Sequence, residues 1–147
     1  MRIYLDNCAF NRPFDDQSQL RVRLEAEAKL YLQAAIRDQK IELVWSYILQ
    51  FENDANPFVD RKFAIDKWKS MAAIEIIEST TLIDQAKALA EKGLKSKDAL
   101  HVAAAMEGKC DLFITTDDRI IRKSQDLDAI RVTNPVDIIG LIDEYDE

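Results

Sequence analysis

At 147 residues the chain is long enough for one compact domain, 1–147, with a real hydrophobic core. With 48% hydrophobic and 32% charged residues, no apolar run near the roughly 18 residues of a membrane helix and no leader-like N-terminus, the composition excludes a disordered or membrane protein and implies a cytoplasmic one. The net charge of −7 argues against a nucleic-acid ligand without excluding one, because carboxylates clustered for a divalent cation would mask any local basic patch.

Met1 to Phe10 (MRIYLDNCAF) opens with an apolar run, Ile3, Tyr4 and Leu5, that stops at Asp6. Inner strands of parallel sheets read this way, and ligands gather at their carboxyl ends. A strand-ending turn aspartate reads the same in isolation. Asn11 to Asp16 reads as a turn around Pro13. From Gln17 to Asp38, Leu20, Leu24, Ala28, Tyr31, Leu32, Ala35 and Ile36 recur at helical spacing. Ile41 to Trp45 is a short buried strand, and Ser46 N-caps a helix from Tyr47 to about Ala55 that carries Glu52 and ends at Asn56-Pro57.

A third helix is predicted from Val59 to Met71, with Phe63, Trp68 and Met71 as its apolar side. Ala73 to Ile77 reads as a short edge strand. Thr81 with Asp84 resembles a capping box for a helix to Lys92, stopped by Gly93, and Ser96 caps a helix from Lys97 to Glu107, stopped by Gly108. Asp111 to Asp118 then repeats the opening pattern of buried strand followed by carboxylate. A short helix from Arg119 to Ser124, a strand from Ile130 to Val132, and a helix from Pro135 to about Asp143 with Asn134 as N-cap complete the chain.

This alternation predicts a three-layer α/β/α fold with a central parallel sheet of four or five strands. Cys8 and Cys110 both adjoin predicted strands and read as buried thiols rather than a disulfide or metal site.

Four acids fall where that fold brings them together. Asp6 and Asp117 end strands that should be neighbours across the switch point of the sheet, and Asp98 lies in the first turn of a helix at the same edge. Glu52 joins them if its helix leans over the crevice. Asp118 competes with Asp117, and Asp54 with Glu52. Hard oxygen ligands suit Mg²⁺ or Mn²⁺, and nothing in the set resembles a zinc site. Candidate cations for a phosphate backbone are Arg12, Arg21, Arg23, Lys95, Lys97, Arg119, Arg122 and Lys123, most of which read as solvated helix surface. His101 lies one turn after Asp98 and could approach the site, although a lone histidine beside Val102 and Ala103 is more commonly a packed one.

The ordered set YLDNCAFNRPFD, SYILQFE, KSKDALHVAAA, ITTDD and VTNPVDII resembles the PIN-domain nucleases, a family that includes the VapC-type toxins of toxin–antitoxin operons. The resemblance implies that Asp6, Glu52, Asp98 and Asp117 form a catalytic, metal-binding acidic quartet. Thr115 matches the family's Thr-x-Asp and Ser46 the small hydroxyl residue ahead of the second acid. Asn7 departs from the pattern, standing where many members carry Thr or Ser. The implied activity is Mg²⁺- or Mn²⁺-dependent endoribonuclease hydrolysis of RNA, with a homodimer and a small antitoxin protein as expected assemblies.

Two other classes remain beside this one. A PIN-like module could hold RNA or protein without cutting. A haloacid-dehalogenase-like phosphatase would need an Asp two residues after Asp6, where Cys8 stands.

Overall fold

The structure, a computed structural model, describes residues 1–145. Strand β1 (Arg2–Leu5) leads into helix α1 (Asn7–Asn11), a 3-10 turn (Arg12–Phe14) and helix α2 (Leu20–Arg37). Strand β2 (Glu42–Ser46) is followed by α3 (Tyr47–Asp54), α4 (Val59–Lys69), strand β3 (Ile74–Ile76), α5 (Thr80–Glu91) and α6 (Ser96–Glu107). Strand β4 (Leu112–Ile114), α7 (Asp118–Lys123), strand β5 (Arg131–Thr133), a 3-10 turn (Pro135–Ile138) and α8 (Ile139–Tyr145) follow. The five strands form one parallel sheet in the order β3-β2-β1-β4-β5, covered by helices in an α/β/α arrangement.

That order makes β1 the pivot. The chain moves outward from β1 to β2 and β3, then crosses back to β4 and β5, so the switch point lies between β1 and β4. Ile3 pairs with Leu112 and Leu5 with Ile114, which leaves Asp6 beside Thr115 at the carboxyl ends of both strands. Tyr4 stacks on Phe113 on the sheet face that α6 covers, and the Gly108 backbone at the end of α6 closes on Val44 of the same face. Trp45 points to the other face, where it meets Phe10 of α1 edge to face. Ile3, Tyr4, Leu5, Leu43, Val44, Trp45, Phe113 and Ile114 are all fully buried, as a doubly covered sheet requires.

The segment read as a turn at Asn11 to Asp16 contains ordered structure instead: α1 ends at Asn11, and Pro13 sits inside a 3-10 turn that tolerates its missing N–H. Thr81 does not cap α5. Ser79 does, accepting from the Leu82 N–H at 3.1 Å. Ser96 is the first residue of α6 rather than its cap, and Lys95 holds the cap position without a side-chain bond. Asn134 does cap, accepting from the Val136 N–H at 2.9 Å, but the turn it opens is 3-10 before it becomes α8.

Two helices bury only part of the face their apolar residues suggest, Trp68 of α4 packing on the core as expected. In α2, Leu20 and Leu24 are 61% and 45% exposed, while the expected Ala28, Leu32, Ala35 and Ile36 are buried together with Val22, Glu25, Ala26, Lys29 and Gln33. In α4, Phe63 is exposed and Ile65 is buried. Two residues apart, they lie about 200° apart around a helix and cannot share a face. Met71 lies beyond the end of α4 and is also exposed.

Candidate active site at the switch point

Asp6 ends β1 and caps α1. Its Oδ1 accepts from the Asn7 N–H at 2.8 Å and its Oδ2 accepts from the Thr115 hydroxyl at 2.9 Å, so a backbone and a neighbouring strand both fix the carboxylate. It is 7% exposed. Cys8 reaches both members of this pair, with Sγ 3.3 Å from Asp6 Oδ2 and from Thr115 Oγ1. Burial, then the Asp6 charge, pushes the Cys8 thiol up to about 12, so it stays protonated and offers no thiolate. Cys8 is therefore half-buried at the crevice, a correction to the expectation of two buried thiols, while Cys110 is buried, and both are free.

The Thr115 hydroxyl also accepts from the Asp117 N–H at 3.1 Å, tying the second strand end to the first. Asp117 caps α7, its Oδ1 accepting from the Arg119 N–H at 2.9 Å with Arg119 Nε 3.6 Å away. Asp98 stands in the first turn of α6. Its carboxyl is pushed up by burial first, and then by the charges of Asp6 and Asp117. Three acids distant in sequence thus share one electrostatic neighbourhood.

Glu52 does lean over the crevice. Its carboxylate takes a hydrogen bond from Asn7 Nδ2 at 3.3 Å and another from His101 Nε2. Burial alone would raise its pKa, but the hydrogen bond and charge of His101, helped by Lys97 and Asn7, hold it below the usual value. His101 is 1% exposed, with Nε2 also 3.8 Å from Asp6 Oδ1. Burial lowers its basicity, yet the contact with Glu52 and the charges of Asp6 and Asp98 leave it raised overall. Asn7 departs from the family pattern and still makes a polar contact, with Glu52.

The competing acids are engaged elsewhere. Asp54 is exposed and accepts from Gln50 Nε2 at 2.9 Å, and Asp118 is exposed and bound by Arg21. Ser46 caps α3, accepting from the Leu49 N–H at 3.2 Å, and Asn134 lies away from the acids beside Glu25. Of the candidate cations, Lys95, Lys97 and Arg119 flank the acids, whereas Arg12 and Arg21 pair with the buried Glu25. A cavity of about 470 Å³ lined by Leu20, Arg21, Leu24, Asp118 and Asn134 includes none of the four acids.

The residues fit a hard divalent cation by donor chemistry: carboxylate oxygens gathered around one strand edge, no thiolate, and a carboxyl, Asp98, raised by burial and then by the charges of Asp6 and Asp117. Among the described residues no group of three or more His, Cys, Asp or Glu side chains stands close enough together to hold a metal ion. Mutually repelling carboxylates are expected to stand apart until a cation bridges them.

Tyr4 and His101 carry more of this site than sequence spacing suggested. The signal was present in spacing: Tyr4 stands on β1 two residues before Asp6, and Asp98 and His101 are three apart on a helix and share a face.

No helix among the described residues is long and apolar enough to cross a membrane. The fold is similar to VapBC2 from Rickettsia felis, solved bound to a DNA fragment from its promoter, with a TM-score of 0.59, 14% identity, and 91% of this chain and 98% of that one covered. It is also similar to PAE2754 from Pyrobaculum aerophilum, with a TM-score of 0.50, 17% identity, and 99% and 98% covered. No curated protein matches the chain. The PIN domain family model matches residues 3–125, a span that contains all four acids and the switch point between β1 and β4, and the chain belongs to the PIN domain family.

Proposed function

We propose that this chain is a Mg²⁺- or Mn²⁺-dependent endoribonuclease that hydrolyses RNA phosphodiester bonds, acting as the toxin of a toxin–antitoxin pair. The observation that carries the reading is that the Thr115 hydroxyl ties Asp6 and the Asp117 backbone together at the ends of β1 and β4, with Asp98 of α6 near enough for both charges to add to the effect of burial on its carboxyl. Holding like charges together on a rigid sheet edge costs free energy that a bound divalent cation returns. Membership of the PIN family and the likeness to VapBC2 support the same activity and a small antitoxin partner, and the cytoplasm is the proposed location. A homodimer is proposed from the family resemblance.

Asp6, Asp98 and Asp117 would hold the cation, with Glu52 as a fourth ligand directly or through water. The cation would supply Lewis acidity at the phosphate and lower the pKa of a bound water. The remaining work falls to the chain's own groups. Asn7 N–H and Thr115 fix the Asp6 carboxylate before substrate arrives. Glu52, placed at the crevice by its bonds to Asn7 and His101, would orient the attacking water and accept its proton. Lys95, Lys97 and Arg119 flank the acids where flanking phosphates of a nucleic-acid strand would lie.

The test is incubation of single-stranded and hairpin RNA oligonucleotides with the purified protein and Mn²⁺, with an EDTA-treated sample alongside. Cleavage that appears with Mn²⁺ and vanishes with EDTA is the expected result. RNA binding without cleavage under all metals would point to a non-cutting PIN-like module instead.

A further inference from the structure

A buried hydrogen-bond chain joins the three elements that carry Asp6, Glu52 and Asp98. Tyr4 lies on β1 two residues before Asp6, and its hydroxyl is 2.6 Å from Ser46 Oγ and 2.6 Å from His101 Nδ1. Ser46 begins α3, the helix of Glu52, and accepts the Leu49 N–H. His101 lies on α6 one turn from Asp98 and ends the chain at Glu52 through Nε2. Tyr4 and Ser46 are fully buried and His101 nearly so, so each polar atom must find its partner within the chain.

Counting protons fixes the directions. With a neutral imidazole, Ser46 donates to Tyr4 and Tyr4 donates to Nδ1, which leaves the ring proton on Nε2, facing Glu52. The opposite neutral arrangement aims a bare Nε2 lone pair at a carboxylate. With a charged imidazole, Nδ1 donates to Tyr4 and Tyr4 to Ser46, and Nε2–H still faces Glu52. The contact with Glu52 therefore survives in either protonation state.

We infer that Tyr4 and His101 are positioning residues: the buried Tyr4 hydroxyl locks the His101 ring, and His101 Nε2–H holds the Glu52 carboxylate over the crevice shared with Asp6. The inference rests on the nuclease reading of that crevice. It adds that the geometry of Glu52 is set from the far side of the sheet edge, through α6, rather than by α3 alone. Partners that orient a ligand from behind it change metal affinity or activity by about 10- to 100-fold when removed.

The chain contains a single histidine, so ¹⁵N-labelled histidine gives one unambiguous imidazole in the metal-free protein. At a pH high enough to neutralise the ring, the expected state is the Nε2–H form; a ring protonated on Nδ1 overturns the inference, whatever the enzyme does. The second arm compares Tyr4→Phe, Glu52→Gln and the double variant for Mn²⁺ affinity by calorimetry and for RNA cleavage. Tyr4→Phe is expected to weaken both by about 10-fold in the native background and to have no further effect once Glu52 is Gln. His101→Gln, which keeps a donor near the Nε2 position, should restore part of what His101→Phe removes. Native protein that cleaves while Tyr4→Phe and Glu52→Gln act independently overturns the inference and leaves the nuclease standing. Native protein that neither binds Mn²⁺ nor cleaves removes both.

Discussion

The guanidinium of Arg21 grips the carboxylate of Asp118 at two points, Nη1 to Oδ2 at 2.8 Å and Nη2 to Oδ1 at 2.7 Å, across 97 residues of chain. These hydrogen bonds hold the Asp118 carboxyl below its ordinary value and turn it toward α2, away from the crevice. The Asp117 backbone N–H, by contrast, shares Thr115 with Asp6, and its charge reaches Asp98. Asp118→Asn is therefore expected to keep cleavage within a few-fold of the native protein, whereas Asp117→Asn should lower it by about 100-fold or more, since on the proposed reading it removes a charge that holds the cation. Initial rates on one RNA oligonucleotide at saturating Mn²⁺ decide the matter, and equal losses in the two variants would mean that the pair acts as a unit.

Thr115 donates to Asp6 and accepts from the Asp117 backbone, so one hydroxyl aligns two strand ends. Thr115→Val preserves shape and removes both bonds inside a fully buried position. We expect a loss of about 1–3 kcal/mol in stability from the unsatisfied partners and a Mn²⁺ affinity lower by about 10-fold. Asp6→Asn should abolish Mn²⁺-dependent cleavage with an unchanged circular dichroism spectrum, because the Asn carbonyl can still accept from Asn7 N–H while its amide NH₂ donates to the Thr115 hydroxyl in place of accepting from it. Urea unfolding together with calorimetric Mn²⁺ titration separates these effects.

The sheet was legible in the sequence because its strands are buried on both faces: Ile3 to Leu5, Leu43 to Trp45 and Leu112 to Ile114 announce themselves by apolar runs ended by a polar residue. The convergence of Asp6 and Asp117 followed from strand order alone. What escaped was orientation. On α2 the stripe facing inward contains Glu25, Lys29 and Gln33 beside the expected Ala28, Leu32, Ala35 and Ile36, and a pattern built on apolar residues misses the polar members while including the exposed Leu20, Leu24 and Tyr31. Glu25 is tolerated there because Arg12, Arg21 and Asn134 meet its carboxylate. His101 was undervalued for a related reason: its partners, Tyr4 and Glu52, lie 97 and 49 residues away and no local pattern names them.

Lys29 makes a pH dependence measurable. Its Nζ lies over the rings of Phe10 at 5.1 Å and Trp68 at 5.6 Å, the residue is 2% exposed, and burial pushes its pKa down from 10.5 to about 7. Between those values the unfolded chain binds a proton that the native chain does not, so native stability rises as pH climbs from about 7 toward 10.5. Below about 7 the burial penalty is present in full. Lys29→Met, which keeps the length of the side chain without the charge, should be more stable than the native protein at pH 6 by on the order of a few kcal/mol. That advantage should shrink toward pH 10. Denaturant midpoints at pH 6, 8 and 10 give the comparison, and a constant difference across the range would mean that Lys29 is not desolvated.

Asp98 bears the opposite signature. Its carboxyl is raised by burial and then by Asp6 and Asp117, so the native state without metal holds a proton at a pH where the unfolded chain has released it. The sign follows: the favourable contribution is complete below the ordinary carboxylate range and is lost as pH rises through the raised value, leaving a penalty at neutral pH. Asp98→Asn removes that penalty, so the metal-free variant should melt a few degrees above the native protein at pH 7.5. Mn²⁺ should then reverse the ranking, because the cation stabilises the native protein by mass action and has lost a ligand in the variant. The same coupling predicts that Mn²⁺ affinity falls as pH drops toward the raised Asp98 value, with proton release on binding. Thermal melts with and without Mn²⁺ at pH 5.5 and 7.5 test all three statements at once. A variant stabilised by Mn²⁺ as strongly as the native protein would take Asp98 out of the metal site.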